Sequence, residues 1–578
     1  MEFKAQARTI EDAFNLKRKY VIPRFQREYS WEIEELEELW DDLIESIKDE
    51  KAHLYATEYF IGSLVLVGDD DDARNIERQV VDGQQRLITF TIAFAVLSQL
   101  FKGENEDKLS DMVHGYIIGE DENGIPYAKI KSETPKPFFQ QRIQEKNIDF
   151  KQIPKSLEEK RILSTYKFIE KRLEQKALMK VFADKFPKAK TTYLDALKLF
   201  RDQILNCKVI YVTVKSFDDA YTIFEVLNAK GKDLTPVDIV KNSLFSVLTQ
   251  KEPIDIAYEK WASIRRKMSE GTVDDIVVFY RHFWLSKYGF ATGRKLVREF
   301  NSKVDKDIDS YTAFLDQLII AASDYASITS PNARQWTQPE DRGVFETLEA
   351  LDIFGVTQVR TFLLALFDVK RNGKIKHSKY LEVLKFLQYF HFVFNAVCSE
   401  RASGLERRYS SYARKLREAE CKESAAKCIR ELISVLQANL PSYDEYEARF
   451  EGINYTSKAS KSKRLVQYIL RKLEIHFANS IELQPDSFSI EHILPESTEH
   501  PLLGKVGNLL PLGEGLNGKL ANKSFVKKVT GYKKSQYRTV ADFLDEYGDL
   551  EVWDEKNIIR RTKQIAKILY YQNNALKE

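Results

Sequence analysis

Three short stretches set a carboxylate, an imidazole and two carboxamides in order: Ser489-Ile490-Glu491-His492-Ile493-Leu494-Pro495, Gly507-Asn508-Leu509-Leu510-Pro511-Leu512 and Leu516-Asn517-Gly518-Lys519. These groups suit hydrolysis of a phosphodiester. That reaction needs a base to deprotonate water, a cation to stabilise the phosphorus centre and leaving oxygen, and a frame that holds both in line. One histidine and two oxygen ligands could supply them. The pattern predicts a strand over 488–493, a second over 508–512 and a helix from 516, a ββα hairpin with Glu491 and His492 on its first strand and Asn517 on its helix. Neighbouring strand residues face opposite ways, so Glu491 and His492 meet at one point only if the strand end twists or bulges. An isolated Glu-His-Ile-x-Pro is more often a surface pair before a proline-ended strand. The asparagines downstream favour the site.

A second constellation lies near the N-terminus, Arg78-Gln79-Val80-Val81-Asp82-Gly83-Gln84-Gln85-Arg86, followed at once by an apolar run to Leu97. A strand-like segment ends at Asp82, Gly83 permits a turn, and a helix begins. Backbone N–H groups, two glutamine amides and a guanidinium then gather at a helix N-terminus, where an anion such as phosphate is favoured. An ordinary strand-turn-helix with a polar first turn has the same spacing, so the residues alone leave both readings open.

Downstream of Asn517, the stretch 519–538 contains Lys519, Lys523, Lys527, Lys528, Lys533, Lys534 and Arg538, no acidic residue, and interleaved Phe525, Tyr532 and Tyr537. Such a run can follow a nucleic-acid backbone through phosphate contacts, although a solvated face looks similar. Lys458, Lys461, Lys463, Arg464, Arg471 and Lys472 form a second basic stretch, on a segment whose apolar spacing indicates one packed face.

The elements that must position these groups follow from periodicity. A helix is expected over 31–48, capped by Ser30, with Ile33, Leu36, Leu39, Leu43 and Ile47 as its apolar stripe. The β-rich runs 59–67 and 209–214 should share a sheet with 79–82, the aspartates 69–72 suit a solvated hairpin loop, and 119–139 reads as a hairpin insertion. From 251 to 440 the pattern is helical, with buried helices over 356–369 and 380–397, a packed His391, and a charged helical connector over 399–428.

A length of 578 residues implies two to four domains, and 43% hydrophobic with 30% charged residues reads as globular. The net charge of +2 is nearly neutral, so nucleic-acid affinity must come from local patches. Cys207, Cys398, Cys421 and Cys428 show no metal-ligand spacing, which indicates free thiols in a reducing compartment. The polar opening residues do not read as a leader, and no apolar run is expected to span a bilayer, so the cytoplasm is the expected location.

The segment from about 443 to 570 resembles the HNH (ββα-metal) nuclease domain of the GmrSD-type modification-dependent (type IV) restriction endonucleases. The resemblance rests on the acidic residue, histidine and proline at Glu491, His492 and Pro495, the Gly-Asn-Leu strand at Gly507, Asn508 and Leu509, and the helix pair Asn517 and Lys519. It implies His492 as general base, Glu491 and Asn517 as ligands of a divalent metal, and Asn508 as a brace for the loop or the histidine. The last motif position is Asn rather than His, and a carboxamide oxygen suits Mg²⁺ or Mn²⁺ better than Zn²⁺.

At the other end, 22–31, 60–64 and Asp82 to Arg86 resemble the DGQQR-motif ParB/sulfiredoxin-like domain of the same family, with a further match over 223–234 followed by Asp238, Lys241 and Asn242. This implies binding and hydrolysis of a nucleoside triphosphate coupled to DNA sensing and cleavage. Arg86 would grip phosphates, Gln85 and Asp82 would position water or metal, Gln26 and Arg27 would line the pocket, and Gly83, Gln84 and Asn228 would complete it. Tyr29 and Trp31 could stack on a base, but their type and place suit a core.

The expected fold is thus α+β and predominantly helical, with an N-terminal ParB/sulfiredoxin-like α/β domain over 1–250, a helical middle and connector over 251–440, and a ββα-metal (HNH) nuclease over 441–578. The expected function is a nucleotide-regulated DNA endonuclease that restricts modified phage DNA. It would use Mg²⁺ or Mn²⁺ and a nucleoside triphosphate on double-stranded DNA, without a membrane, with homo-oligomerisation left open. Two rivals are a nucleotide-switched DNA-binding or regulatory protein that does not cut, and an RNA-cleaving HNH toxin.

Overall fold

The structure, a computed structural model, describes residues 3–69, 76–134, 136–146, 152–216, 219–220, 223, 235–249, 254–271, 275–400, 404–458, 460–478, 487–498 and 500–571. Its two compact units are Met1–Thr249 and Gln250–Glu578. The fold is mostly helical α+β, with a mixed six-stranded sheet in the first unit.

In the first unit the main sheet is built of β1 (Phe3–Thr9), β2 (Lys19–Ile22), β3 (Tyr59–Val67), β4 (Glu77–Asp82), β5 (Ile130–Ser132) and β6 (Cys207–Val214), in the order β1-β6-β3-β4-β2-β5. The expected runs 59–67, 79–82 and 209–214 therefore share one sheet. β6 runs parallel to β3, β3 antiparallel to β4, and β2 parallel to both β4 and β5. Within 119–139, Ile118–Glu120 pairs with Pro126–Ala128 as a hairpin, and the chain then re-enters the main sheet as β5. Of the four aspartates, only Asp69 lies among the described residues.

Helix α1 (Ile33–Ser46) is shorter than the periodicity indicates. Glu32 is its N-cap, its N–H donating to the Glu35 carboxylate at 2.9 Å, while the N–H of Ser30 is bonded to Gln85. Ile33 is 49% exposed, while Leu36, Trp40, Leu43, Ile44 and Ile47 are buried. Helix α2 (Gln84–Gly103) is apolar all round, as a helix enclosed by other elements must be. By length and composition it could cross a bilayer, contrary to the expectation of no such run, but its side chains form the centre of the first unit's core.

In the second unit, α3 (Ile276–Lys287), α4 (Arg342–Ile353), α5 (Arg360–Arg371), α6 (His377–His391) and α7 (Leu405–Arg417) build a helical body. Within the expected helical connector, α7 is packed against the helical body. Tyr409, Ala413 and Leu416 of α7 are buried, Ser410 donates to the Leu285 carbonyl at 2.7 Å, and Arg417 reaches the Ser286 carbonyl at 3.1 Å. His391 is fully buried, with Nδ1 2.6 Å from Asn395 Oδ1 and Nε2 2.7 Å from Tyr409 Oη.

Helix α8 (Lys463–Ala478) follows, then β7 (Ser489–His492), β8 (Leu509–Leu512), α9 (Glu514–Leu520), α10 (Phe525–Tyr532), α11 (Arg538–Tyr547) and α12 (Glu555–Tyr571). The helical body and this last segment share a core, in which Tyr389, Phe392 and Val393 pack with Val466, Ile469, Leu509 and Ile565. The β7–β8 hairpin is antiparallel and pairs Glu491 with Leu510 and His492 with Leu509. Leu509 belongs to this shared core, whereas Leu510 and Leu512 belong to a second cluster with Tyr532, Phe543 and Trp553. Strand alternation between the two cores decides which way each motif residue faces.

Candidate active site

His492 ends β7 with its side chain 12% exposed. Its Nε2 lies 3.1 Å from the carbonyl oxygen of Tyr455 and 3.2 Å from Glu496 Oε1, and its ring stacks on that of Tyr455 at 5.8 Å and 21°. Tyr455 is anchored in turn, its N–H donating to the Gly504 carbonyl at 2.9 Å. Glu496 stands four residues beyond the histidine and accepts from the N–H of Ser457 at 2.7 Å and from the Ser457 hydroxyl. Partial burial opposes ionisation of Glu496, but the Ser457 hydrogen bonds and the charges of His492 and Lys458 outweigh it and hold the carboxyl below its ordinary range.

Glu491 faces the other way. Its side chain is 4% exposed, with Oε1 2.7 Å from the Lys528 ammonium and accepting from Tyr532 Oη at 2.9 Å. Lys528, 1% exposed, also donates to the His492 carbonyl at 2.5 Å. Burial lowers the Lys528 pKa against the pull of Glu491, and burial together with the Glu491 charge pushes the Tyr532 phenol well above its usual value. Two expectations change. Lys528 sits inside the fold and cannot hold a nucleic-acid backbone, and Tyr532 is fully buried rather than an interleaved surface ring. Lys519, Lys523, Lys527, Lys533 and Lys534 are exposed.

Asn508 is completely buried and its amide is fully engaged. Oδ1 accepts from the N–H of Leu494 at 2.8 Å and from Trp553 Nε1 at 3.1 Å, while Nδ2 donates to the carbonyls of Leu494 and Leu503. It clasps the loop that leaves His492 and makes no hydrogen bond to the imidazole. Asn517, half-buried on α9, donates through Nδ2 to Ser489 Oγ at 2.8 Å and to the Ile490 carbonyl at 3.2 Å.

A divalent ion held between Glu491 and Asn517 does not fit this arrangement. An ammonium already sits against Glu491 Oε1, and a dication there would meet it at close range in a poorly screened interior. Among the described residues no group of three or more His, Cys, Asp or Glu side chains gathers as a ligand set. The carboxylate beside the imidazole is Glu496, which is absent from the motif-based expectation. Its signal was available as an acidic residue four positions after His492, just past Pro495. Tyr455, 37 residues upstream, carried none.

In the first unit β4 ends at Asp82, Gly83 turns at φ +92°, and α2 begins. Arg86 Nη1 donates to the Ser63 carbonyl at 2.9 Å and lies 3.8 Å from Asp82 Oδ2, which accepts from Ser63 Oγ at 2.8 Å. Arg86 and Asp82 remain partly accessible beside the positive end of α2. The glutamine amides are otherwise employed. Gln84 Nε2 donates to the Arg27 carbonyl at 2.7 Å, Gln85 joins Ser30 N at 2.8 Å and the Glu28 carbonyl at 3.2 Å, and Gln26 Nε2 donates to the carbonyls of Val80 and Val81. They tie the 26–30 loop to the helix start, instead of presenting donors to a phosphate. Arg27 is half-buried on that loop, and Tyr29 is wholly buried, its hydroxyl shared with Thr89 and Thr165. Asn228 and most of the 223–234 match lie outside the described residues.

Two family models match the chain. The N-terminal domain of the GmrSD restriction endonuclease matches residues 10–245, and the C-terminal domain of GmrSD restriction endonucleases matches residues 440–568. No curated protein matches it.

Proposed function

Because the chain belongs to the GmrSD restriction endonuclease family, and is therefore a nuclease whose substrate is DNA, we propose that 441–578 cuts the backbone with His492 as general base while 1–250 binds and hydrolyses a nucleoside triphosphate. The helical stretch 251–440 would join them. The supporting observation is the pair of acceptors on one imidazole nitrogen, Tyr455 O and Glu496 Oε1. With both acceptors on Nε2, the hydrogen of the neutral ring belongs there, and Nδ1 keeps the lone pair that takes a proton from water. Glu496 then stabilises the imidazolium that forms, as an orienting carboxylate does in hydrolases.

Asn508 holds the loop beyond the base, and Lys519, Lys523, Lys527, Lys533 and Lys534 carry the DNA backbone. Family membership implies a divalent cation, and Mg²⁺ or Mn²⁺ would supply electrostatic stabilisation of the leaving oxygen. In the first unit, Arg86 at the start of α2 would meet the triphosphate, and Asp82 would position water or metal. Modified phage DNA is the proposed target and the cytoplasm the proposed location.

The test is cleavage of plain and modified DNA, and of RNA, by the full chain with each nucleoside triphosphate. Cutting of modified DNA that depends on a nucleotide supports the reading. Nucleotide-dependent DNA binding without cutting favours the regulatory rival, and cutting of RNA alone favours the toxin.

A further inference from the structure

Helices α4, α6 and α8 enclose a cleft of about 280 Å³ that takes in none of the residues around His492. Small-ligand pockets start at roughly 300 Å³, so this one suits a compact guest. Its walls carry Arg342, Arg471 and Lys472 against two carboxylates, Glu346 and Glu349. Arg342 Nε pairs with Glu346 at 3.3 Å and Arg471 Nη1 with Glu349 at 2.9 Å. Both acids are thereby engaged, and Lys472 is the surplus cation, its Nζ 5.6 Å from the centre of the Tyr468 ring. Desolvation lowers the Lys472 pKa despite the pull of Glu346, which marks an ammonium short of counter-charge.

A second observation concerns Arg471. Its side chain keeps 29% exposure while Nη1 is fixed on Glu349, so an anionic oxygen entering beside Lys472 meets a guanidinium already held in place. The adjoining wall is aromatic. Phe345 lines the cleft, and Tyr468, 7% exposed, is fixed edge-on by Phe354 at 4.9 Å and 87°.

We propose that this cleft binds a single nucleotide, its phosphate on Lys472 and Arg471 and its base against Phe345 and Tyr468. One surplus positive charge matches a monophosphate or one backbone phosphate better than a triphosphate. The nucleotide has two possible sources, a free mononucleotide or a residue turned out of a DNA strand.

The experiment uses the full-length protein, with equilibrium dialysis of deoxynucleoside 5′-monophosphates and anisotropy of a labelled DNA duplex. Lys472→Met keeps the packed aliphatic stem and removes the charge. Ala333→Trp, at an exposed position on the cleft's lining, narrows it without touching a charge. The expected result is a loss of at least about tenfold in affinity for one probe in both variants. Loss for the mononucleotide assigns the free ligand, and loss for the duplex assigns a DNA nucleotide. Unchanged binding of both probes overturns the proposal, as does a loss in Lys472→Met with wild-type binding in Ala333→Trp, since that pattern describes surface charge alone. If Lys472→Met fails to fold, Ala333→Trp decides by itself. Neither readout involves cleavage, so failure would leave the assignment of His492 untouched.

Discussion

Glu491 and Lys528 form an ion pair at 2.7 Å in which both side chains are almost wholly withdrawn from water. The acid of the motif thus belongs to the core beneath the hairpin. Removing one partner of a buried pair strands the other charge, at a cost of about 3–5 kcal/mol. Glu491→Gln should therefore lower unfolding stability in urea by that order, and Glu491→Gln/Lys528→Met should lose less than the sum of the single variants. Wild-type stability in Glu491→Gln, with activity gone, would return Glu491 to the chemistry.

Acid should weaken the second unit through two buried histidines. Burial pushes His282 and His391 down to about 4, whereas an unfolded histidine titrates near about 6.5. Between these values the unfolded chain binds more protons. Stability is then complete above about pH 6.5, falls as the pH drops toward 4 and levels off below, by an order of about 3 kcal/mol per histidine. Unfolding measured from pH 7.5 to 4 should show this slope, and His391→Gln should reduce it. A flat profile would mean that both rings are already solvated.

Arg86 lies over Gly62, where an added Cβ would come within 2.8 Å of Arg86 Nη2 on a backbone with φ +106°. Gly62→Ala should displace the guanidinium, and both it and Arg86→Ala should lose the proposed nucleotide hydrolysis. Full hydrolysis in either variant, measured by phosphate release, would remove Arg86 from the nucleotide site.

The exposed lysines of 519–538 should show in the salt dependence of DNA binding. Each lysine that neutralises a phosphate adds about 0.9 to the slope of log K against log salt. Replacing Lys527, Lys533 and Lys534 together by alanine should therefore flatten the slope by up to about 2.7. An unchanged slope would place the DNA elsewhere.

Much of this was legible in the sequence because local rules governed it. The hairpin followed from two short apolar runs ending in proline-bearing segments, and the turn into α2 from Gly83. Alternation already warned that Glu491 and His492 would part, and they do, since Leu509 and Leu510 belong to different cores. What could not be read depended on residues distant in the chain. Lys528 belongs to a lysine-rich run by composition, yet it is buried against Glu491, 37 residues upstream. The glutamines of the DGQQR stretch suggested phosphate donors, but the 26–30 loop uses their amides. Segment 399–428 is charged enough to suggest a connector, while the face that packs Tyr409 and Ser410 depends on partners in α3 and α5.

His492 is proposed to take the proton from the attacking water. The most direct test is the rate of DNA cleavage by wild-type protein and His492→Ala at equal DNA binding and equal folded content. A rate at least about 10²-fold lower in His492→Ala is predicted, with binding retained. Cleavage by His492→Ala at the wild-type rate would exclude His492 as the base.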